Sequence, residues 1–249
     1  MSAAVAGLQV DRRVLGGIAF ASAITGTSIV DSLVVRNTQL QLRVNRSGIF
    51  AILNAPGFTK LNSEFDVVPA DWPAISTAFE ITVQDPSLRY LGRRAMVQAP
   101  QTIASLAAPQ KVVLYPGPAG EVEPNWAIVR ATVTDTHANG LPWAVLQVLK
   151  SDNTVAATGM TDQRGEALLA VPGLGVQVSS GGSGSVTEST LAVTVHAWFD
   201  PTVLQQPAGW VPNPDDTLKT LTNPALKTAN IASTLAAGQT ILAAITISL

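Results

Sequence analysis

The feature that most restricts the fold of this chain is an internal repeat with a long period. Segment 45–58 resembles segment 162–174: each begins with Asn or Asp, has Gly three residues later, and ends in Pro-Gly before a hydrophobic residue. The paired landmarks Gly26/Gly140, Gly48/Gly165, Gly57/Gly173 and Pro86/Pro201 are 114, 117, 116 and 115 residues apart. Four landmarks in the same order at nearly one separation indicate two homologous domains, which we place at residues 10–97 and 125–205.

Both repeats carry the signature of β-strands. Hydrophobic and polar residues alternate in 40–44, 129–134 and 193–198, and this period of two is typical of strands that bury one face. The Asn/Asp-x-x-Gly steps predict tight turns, and the Pro-Gly steps end strands because proline has no backbone donor for the ladder. Gly, Pro, Asn and Asp recur at short intervals, as in β-sandwiches. We therefore predict an all-β fold with two tandem sandwich domains.

Two segments lie outside the predicted domains. Residues 98–124 contain five prolines and predict a Pro-rich linker with one strand-like stretch, Lys111–Tyr115. Residues 206–249 are a predicted C-terminal extension, in which Asn223-Pro224 can begin a helix that Gly238 ends. The last nine residues place apolar side chains on one face, and such a strand needs a sheet edge, either of this chain or of a neighbour.

Charge and cysteine content exclude several classes of function. The 249 residues include no cysteine, which excludes a disulfide scaffold, a cysteine-ligated zinc site and a thiol nucleophile. Charged residues make up 13% of the chain and the net charge is −2, whereas average soluble domains carry about 25% charged residues. This balance disfavours nucleic-acid binding, which needs a basic surface. We interpret the low charge as surface that other subunits cover.

Membrane insertion and secretion are not indicated. No stretch reaches the roughly 18 uninterrupted apolar residues of a membrane-spanning helix, so we expect no membrane span. Arg12-Arg13 before the run Val14–Ile24 has the outline of a secretory signal, but glycines and a serine interrupt the run, which predicts a strand and a turn. We expect synthesis in the cytoplasm and assembly into a particle.

Catalytic motifs are missing from the sequence. His137 and His196 lack the spacing of a zinc-protease site, and we expect both to face solvent or an interface. Gly181–Ser185 lacks the last glycine of a nucleophile elbow, and Asp215-Asp216 predicts a solvated turn or a helix cap. We predict no catalytic, cofactor-binding or metal-binding residue and a protein that is not an enzyme.

The second repeat, from Val129 to Leu174, resembles the carboxypeptidase regulatory-like domain, a β-sandwich of the transthyretin type. The matching positions, in order, are Asp135, Gly140-Leu141-Pro142, Ala144, Leu146, Val148, Gly159, Thr161-Asp162, Gly165 and Val171-Pro172-Gly173. The first repeat is a degenerate copy that lacks the proline at Gly26-Thr27-Ser28. The resemblance implies two tandem transthyretin/Ig-like sandwiches and nothing about chemistry, since this module occurs in many different proteins.

A second resemblance concerns assembly. Three segments are similar to accessory structural proteins of contractile injection systems, which are phage tail-like particles: Val14-Leu15-Gly16-Gly17, Ser47-Gly48-Ile49-Phe50 and Ala55-Pro56-Gly57-Phe58. The resemblance implies a non-enzymatic structural subunit, a cap or a baseplate-associated component. Its expected partners are other subunits of the particle, in a homo-oligomeric ring or a hetero-assembly, with no cofactor.

Aromatic and tail residues are the predicted interface, since aromatic side chains are enriched where proteins meet. The predicted contact residues are Trp198, Trp210, Ile241, Ile245, Ile247 and Leu249. The basic cluster Arg89, Arg93 and Arg94 is predicted to be a solvated loop or a dock for an acidic neighbour. An alternative function is a carbohydrate-binding or adhesive module, in which exposed tryptophans form a platform for sugar rings.

Overall fold

The computed structural model describes residues 14–58, 75–102, 105, 108–174, 176–178, 186–188 and 190–249, and it is almost entirely β-structure. The strands are β1 Gly16–Ser22, β2 Val34–Arg36, β3 Gln41–Val44, β4 Phe50–Asn54, β5 Thr77–Gln84, β6 Arg93–Ala99, β7 Gln110–Leu114, β8 Ala127–Thr134, β9 Val145–Lys150, β10 Val155–Met160, β11 Glu166–Val171, β12 Val176–Val178, β13 Val186–Glu188, β14 Thr190–Phe199, β15 Lys227–Ala236 and β16 Thr240–Thr246. A 3-10 helix covers Pro201–Gln205, and a short helix, α1, covers Pro214–Lys219. The prediction of an all-β fold is confirmed. Arg12-Arg13, which precede the run with the outline of a secretory signal, and the Gly181–Ser185 loop lie outside the described residues.

The first sandwich consists of two sheets, with strand orders β3-β4-β1-β7 and β2-β5-β6. Its first strand, β1, is antiparallel to β4 on one side and parallel to β7 on the other. The inward-facing residues of both sheets form one hydrophobic core, whose most buried large side chains include Ile18, Phe20, Ile52, Ile81 and Leu114.

The second sandwich repeats this plan with sheets β11-β8-β16 and β10-β9-β14-β15. Its first strand, β8, is again antiparallel to one neighbour, β11, and parallel to the last strand of the chain, β16. Strands β12 and β13 form a separate hairpin. A second core fills the space between the sheets, with Val129, Leu146, Leu169, Val195 and Phe199 among its buried members.

The repeat extends to the hydrogen bonds of its turns. The Oδ1 atom of Asn45 accepts from the backbone N–H groups two and four positions ahead, at 2.9 and 3.0 Å, and Oδ1 of Asp162 does the same at 2.8 and 3.0 Å. Gly48 and Gly165 follow with φ angles of 73° and 81°, a region that a side chain enters only with strain. The predicted Asn/Asp-x-x-Gly turns are thus formed in both sandwiches.

The strands extend beyond the predicted boundaries of residues 10–97, 98–124, 125–205 and 206–249. Strand β7, from the predicted linker, pairs with β1 over five residues because Val112 and Leu114 belong to the first core. Strands β15 and β16, from the predicted extension, belong to the two sheets of the second sandwich. The first sandwich therefore includes one strand, and the second includes two strands, from segments that were predicted to lie outside them.

The helix predicted to begin at Asn223-Pro224 is wrong. Asn223 Oδ1 accepts from the N–H of Ala225 at 3.0 Å, which closes a turn, and β15 begins two residues later. All ten residues of β15 pair with β14, and this ladder outweighs a local helix signal in a segment that contains β-branched Thr and Ile.

Candidate functional site

The junction between the two sandwiches contains hydrogen bonds, an ion pair and an aromatic contact. The connection from β14 to β15, residues 200–226, leaves the second sandwich and lies along β6 of the first. The backbone N–H of Arg94 donates to the carbonyl of Pro212 at 2.7 Å, and Arg94 Nε donates to the carbonyl of Val211 at 2.8 Å. Because β6 is the last strand of its sheet, the connection covers this edge at Arg94.

Arg93 provides the buried ionic part of the junction. Its side chain is only 1% exposed, and its guanidinium donates to the Val113 carbonyl at 2.7 Å, to Asn213 Oδ1 at 3.1 Å and to the Asp215 carboxylate. Pro214 and Asp215 lie in the first turn of α1, where proline and acidic residues are favoured. A cation of the first sandwich is thus held by an anion of the second, and a buried charge is tolerated only when paired in this way.

Trp210 joins the same junction. The Arg94 guanidinium lies 4.7 Å from the centroid of the Trp210 ring, and Arg94 also forms an ion pair with Glu80 at 3.2 Å. A cation over an indole face is attracted by about 0.5–2 kcal/mol, depending on desolvation. The aromatic anchor that we predicted for another subunit contacts this chain's own first sandwich.

A small apolar contact lies beside the polar one. Ile128, Leu168 and Ala170, on the outward face of sheet β11-β8-β16, are buried against Ile24 of the first sandwich and Trp126. This contact and the ionic contact at Arg93 hold the sandwiches at two separate places.

A groove with a volume of about 700 Å³ opens between the sandwiches. Its walls include Tyr90 and Arg36 from the first sandwich and Trp143, Asp162 and Arg164 from the second. Trp143 has a φ angle of 63°, a conformation that a bulky residue rarely adopts. Aromatic surface and planar polar groups therefore face one concave space, which is the usual composition of a small-molecule site.

The Asp85 turn forms part of the wall of this groove. Burial tends to raise the pKa of Asp85, but hydrogen bonds from the Ser87 hydroxyl and from the N–H groups of Ser87 and Tyr90 outweigh it, so the pKa lies below its ordinary value. Asp85 therefore stays ionised and holds the turn that carries Tyr90.

The two histidines occupy different surroundings. His196 stacks on Trp198 with ring centroids 4.0 Å apart, and burial lowers its pKa. The His137 side chain is 82% exposed in the Asp135 turn. Within the described ranges, no group of three or more His, Cys, Asp or Glu residues is placed to hold a metal ion.

The predicted interface residues divide into two sets. Trp198, Ile245 and Ile247 are covered by this chain itself, since the last two lie in the second core and β16 completes its own sheet. Of the two sheet edges that the sequence allows for this strand, this chain's own or a neighbour's, the structure has the chain's own. Ile241 is half-buried at the margin of the core, and Leu249 is 49% exposed.

Sequence reasoning missed the role of Arg93. The cluster Arg89, Arg93 and Arg94 was predicted to be solvated or to dock an acidic neighbour, but Arg93 is buried, Arg94 stands over Trp210, and Arg89 pairs with Asp31. The acidic partner of Arg93 lies 122 residues away in the same chain. No local sequence pattern predicts a pairing between residues so far apart.

Comparison with known proteins gives only a general likeness. No protein-family model matches the sequence, and no curated protein matches it. Among solved structures, the chain is similar to the Bacillus anthracis TIE protein, with 13% identity, a TM-score of 0.28, and coverage of 94% of this chain but 34% of that one. It is also similar to the shaft pilin SpaA of Lactobacillus rhamnosus GG, with 9% identity, a TM-score of 0.28 and coverage of 94% and 97%. The streptococcal ancillary pilin follows with 8% identity, a TM-score of 0.23 and coverage of 94% and 68%.

These TM-scores are too low to carry a functional argument, and the chain spans about a third of the TIE protein. The paired sheets themselves describe a general Ig-like β-sandwich fold. In the part of the chain that the structure describes, no helix has the length and apolar character needed to cross a membrane.

Proposed function

We propose that this chain is a non-enzymatic structural subunit, in which two sandwiches form one fixed unit within a larger assembly. The observation that carries the proposal is the junction at Arg93. Linked domains move relative to each other unless their interface is extensive, and here a buried ion pair and a covered sheet edge oppose that motion. A building block of a large particle must present its contact surfaces at fixed angles, and this junction provides that property.

The particle we propose is a contractile injection system, with this chain as a cap or baseplate-associated component. The support for this assignment is the resemblance of Ser47-Gly48-Ile49-Phe50 and Ala55-Pro56-Gly57-Phe58, together with the sandwich of the carboxypeptidase regulatory-like type. The low charge of the chain adds support, because surfaces buried in permanent assemblies are more apolar than free surfaces.

The experiment is to purify assemblies through an affinity tag on this chain from the organism that encodes it, and to examine them by electron microscopy. We expect tail-like particles that carry the tagged subunit at one end. The variant Arg93→Met, which loosens the junction, should reduce incorporation, whereas Arg43→Met, on the exposed strand β3, should not. Tagged protein recovered only as free chain, with no particle, would refute the proposal.

A carbohydrate-binding or adhesive module is a second candidate function, and the groove between the sandwiches favours it. Trp143 and Tyr90 can provide faces for sugar rings, and Arg36, Asp162 and Arg164 can provide planar hydrogen-bonding groups for hydroxyls. A glycan array tests it with the purified chain, the Trp143→Ala variant and a Leu242→Ala control, since Leu242 is exposed and does not line the groove. Saturable binding that only Trp143→Ala abolishes would support this function, and no binding by the wild-type chain would eliminate it.

A further inference from the structure

Strand β15 presents the longest sheet edge in the described part of the molecule. Its ten residues pair with β14 in one unbroken register, and no described strand pairs with its other side. The other edge strands have at most seven residues. Strand β10 is also bulged between Val155 and Ala157, and Arg94 of β6 hydrogen-bonds to residues 211–212.

The sequence of β15 lacks the features that normally protect an edge. Exposed edge strands usually carry inward-pointing charges, proline or bulges, because their unpaired N–H and C=O groups recruit other strands. Strand β15 contains no proline and no glycine, and its single charge, Lys227, stands at its first position. Thr228, Asn230, Ala232 and Thr234 on one face are uncharged and exposed.

The core beneath this edge is incompletely closed. Ile231 faces the core side, since it pairs with the buried Val195, yet it remains 36% exposed. Ala229 on the same strand and Ile241 on β16 are also only half-buried, although both contact the second core. Strand β16 is the edge of the facing sheet and is joined to β15 by the Gly238 turn, so both sheets end on this side. An added strand would bury the exposed part of Ile231.

We propose that a second copy of this chain pairs with β15 through its own β15, which joins the two four-stranded sheets into one of eight strands. This inference rests on the proposed function and names the first contact of the assembly. A two-fold axis perpendicular to the sheet makes the strands antiparallel and keeps both cores on one side. The axis passes at Ile231, which then faces Ile231 of the second copy.

The charge pattern of β15 fits a second copy. In this register Thr228 faces Thr234 of the second copy, Asn230 faces Ala232, and Lys227 faces Leu235. The two Lys227 side chains stand at opposite ends of the strand pair, roughly 27 Å apart along the strands, which exceeds the screening length of about 8 Å at physiological salt. The pairing therefore buries no charged side chain and places no two like charges opposite each other.

The first experiment measures oligomeric state by light scattering over a range of concentrations. We expect a dimer for the wild-type chain, a monomer for Ile231→Lys, and a dimer for the control Val155→Lys on the opposite edge of the same sheet. A long side chain at a partly exposed position can extend to water, and circular dichroism verifies that each variant is folded. A wild-type monomer at every concentration, a dimeric Ile231→Lys, or a monomeric Val155→Lys would overturn the proposal.

The second experiment tests the register by disulfide cross-linking, which a chain without native cysteine makes unambiguous. Facing residues of antiparallel strands have Cα atoms about 4.5–5.5 Å apart, within the range of a disulfide. Ile231→Cys should cross-link to itself. Thr228→Cys and Thr234→Cys should not cross-link alone but should cross-link when mixed. Efficient self-linking of Thr228→Cys, or none by Ile231→Cys, would overturn the register.

The outcomes separate this inference from the proposed function. A chain that enters particles but is monomeric alone, with no β15 cross-link within the particle, would leave the structural role intact and remove this contact. A dimer with the expected cross-links that never enters a particle would leave this contact intact and remove the structural role.

Discussion

Replacing Arg93 with methionine tests whether the junction holds the two sandwiches together. Methionine keeps an unbranched apolar chain beside Tyr115, whose ring centroid lies 6.0 Å from the guanidinium carbon. It removes the charge and the hydrogen bonds to Val113, Asn213 and Asp215. The remaining acceptors then face a side chain that cannot donate to them.

The expected loss is about 3 kcal/mol. Breaking a buried ion pair by removal of one partner costs about 3–5 kcal/mol, because an uncompensated buried charge remains. Here the remaining charge is Asp215, whose side chain is 44% exposed and can recover water, which places the loss at the low end. For a cooperative unit of about 150–250 residues this corresponds to a melting temperature lower by about 6–12 °C.

Differential scanning calorimetry is the assay. We expect one transition for the wild-type chain and a lower or divided transition for Arg93→Met, as the sandwiches begin to unfold separately. Asp215→Asn should lose at least as much, about 3–5 kcal/mol, because it leaves the buried Arg93 guanidinium without its counter-charge. Arg43→Met, at an exposed position, should change nothing measurable. An unchanged transition for Arg93→Met would refute the reasoning.

Three further predictions concern stability. Ala138 has a φ angle of 63°, so Ala138→Gly should stabilise the chain by about 0.5–1 kcal/mol in urea unfolding, whereas Ala244→Gly in β16 should destabilise it by a similar amount. Burial lowers the pKa of His196, so the unfolded chain binds more protons than the folded chain below about pH 6.5. The free energy of unfolding should therefore fall as the pH drops through that range. Urea titrations at several pH values should show this fall for the wild-type chain and a weaker pH dependence for His196→Gln. Deletion of Thr240–Leu249 removes two buried isoleucines and the parallel partner of β8, which should lower the free energy of unfolding by about 4–6 kcal/mol. Limited proteolysis should then cleave the second sandwich before the first. A protease-resistant second sandwich would contradict the placement of β16 in its core.

Local features of the sequence were sufficient to predict the class of fold. Alternation with a period of two requires one face of each strand to be buried, and an Asn or Asp three residues before a glycine closes a turn by its own side chain. Both signals involve residues only a few positions apart. They depend little on the rest of the molecule, and they occur in both repeats.

The limits of the sandwiches could not be predicted in the same way. Strands β7 and β16 pair in parallel with the first strands of their sandwiches, so Ile18 meets Gln110 and Ile128 meets Thr240. Parallel pairing needs a long connection and leaves no hairpin signal in the sequence. The prolines around β7 and the Asn223-Pro224 step before β15 therefore favoured a linker and a helix.

The candidate site depended still more on distant pairing. The alternating pattern correctly placed the tail isoleucines on one face of a strand, but the same apolar face suits a neighbour's sheet and the chain's own sheet equally well. Only the tertiary structure places Ile245 and Ile247 in the second core and leaves β15 open.

Sequence alone established the two repeats, the all-β class and the turn chemistry, because each arises from backbone conformation and side-chain alternation within a few residues. The tertiary structure decided which strands close each sandwich, why Arg93 is buried, and which edge stays free. Those outcomes depend on residues as far apart as Arg93 and Asp215, which only folding brings within reach of a hydrogen bond.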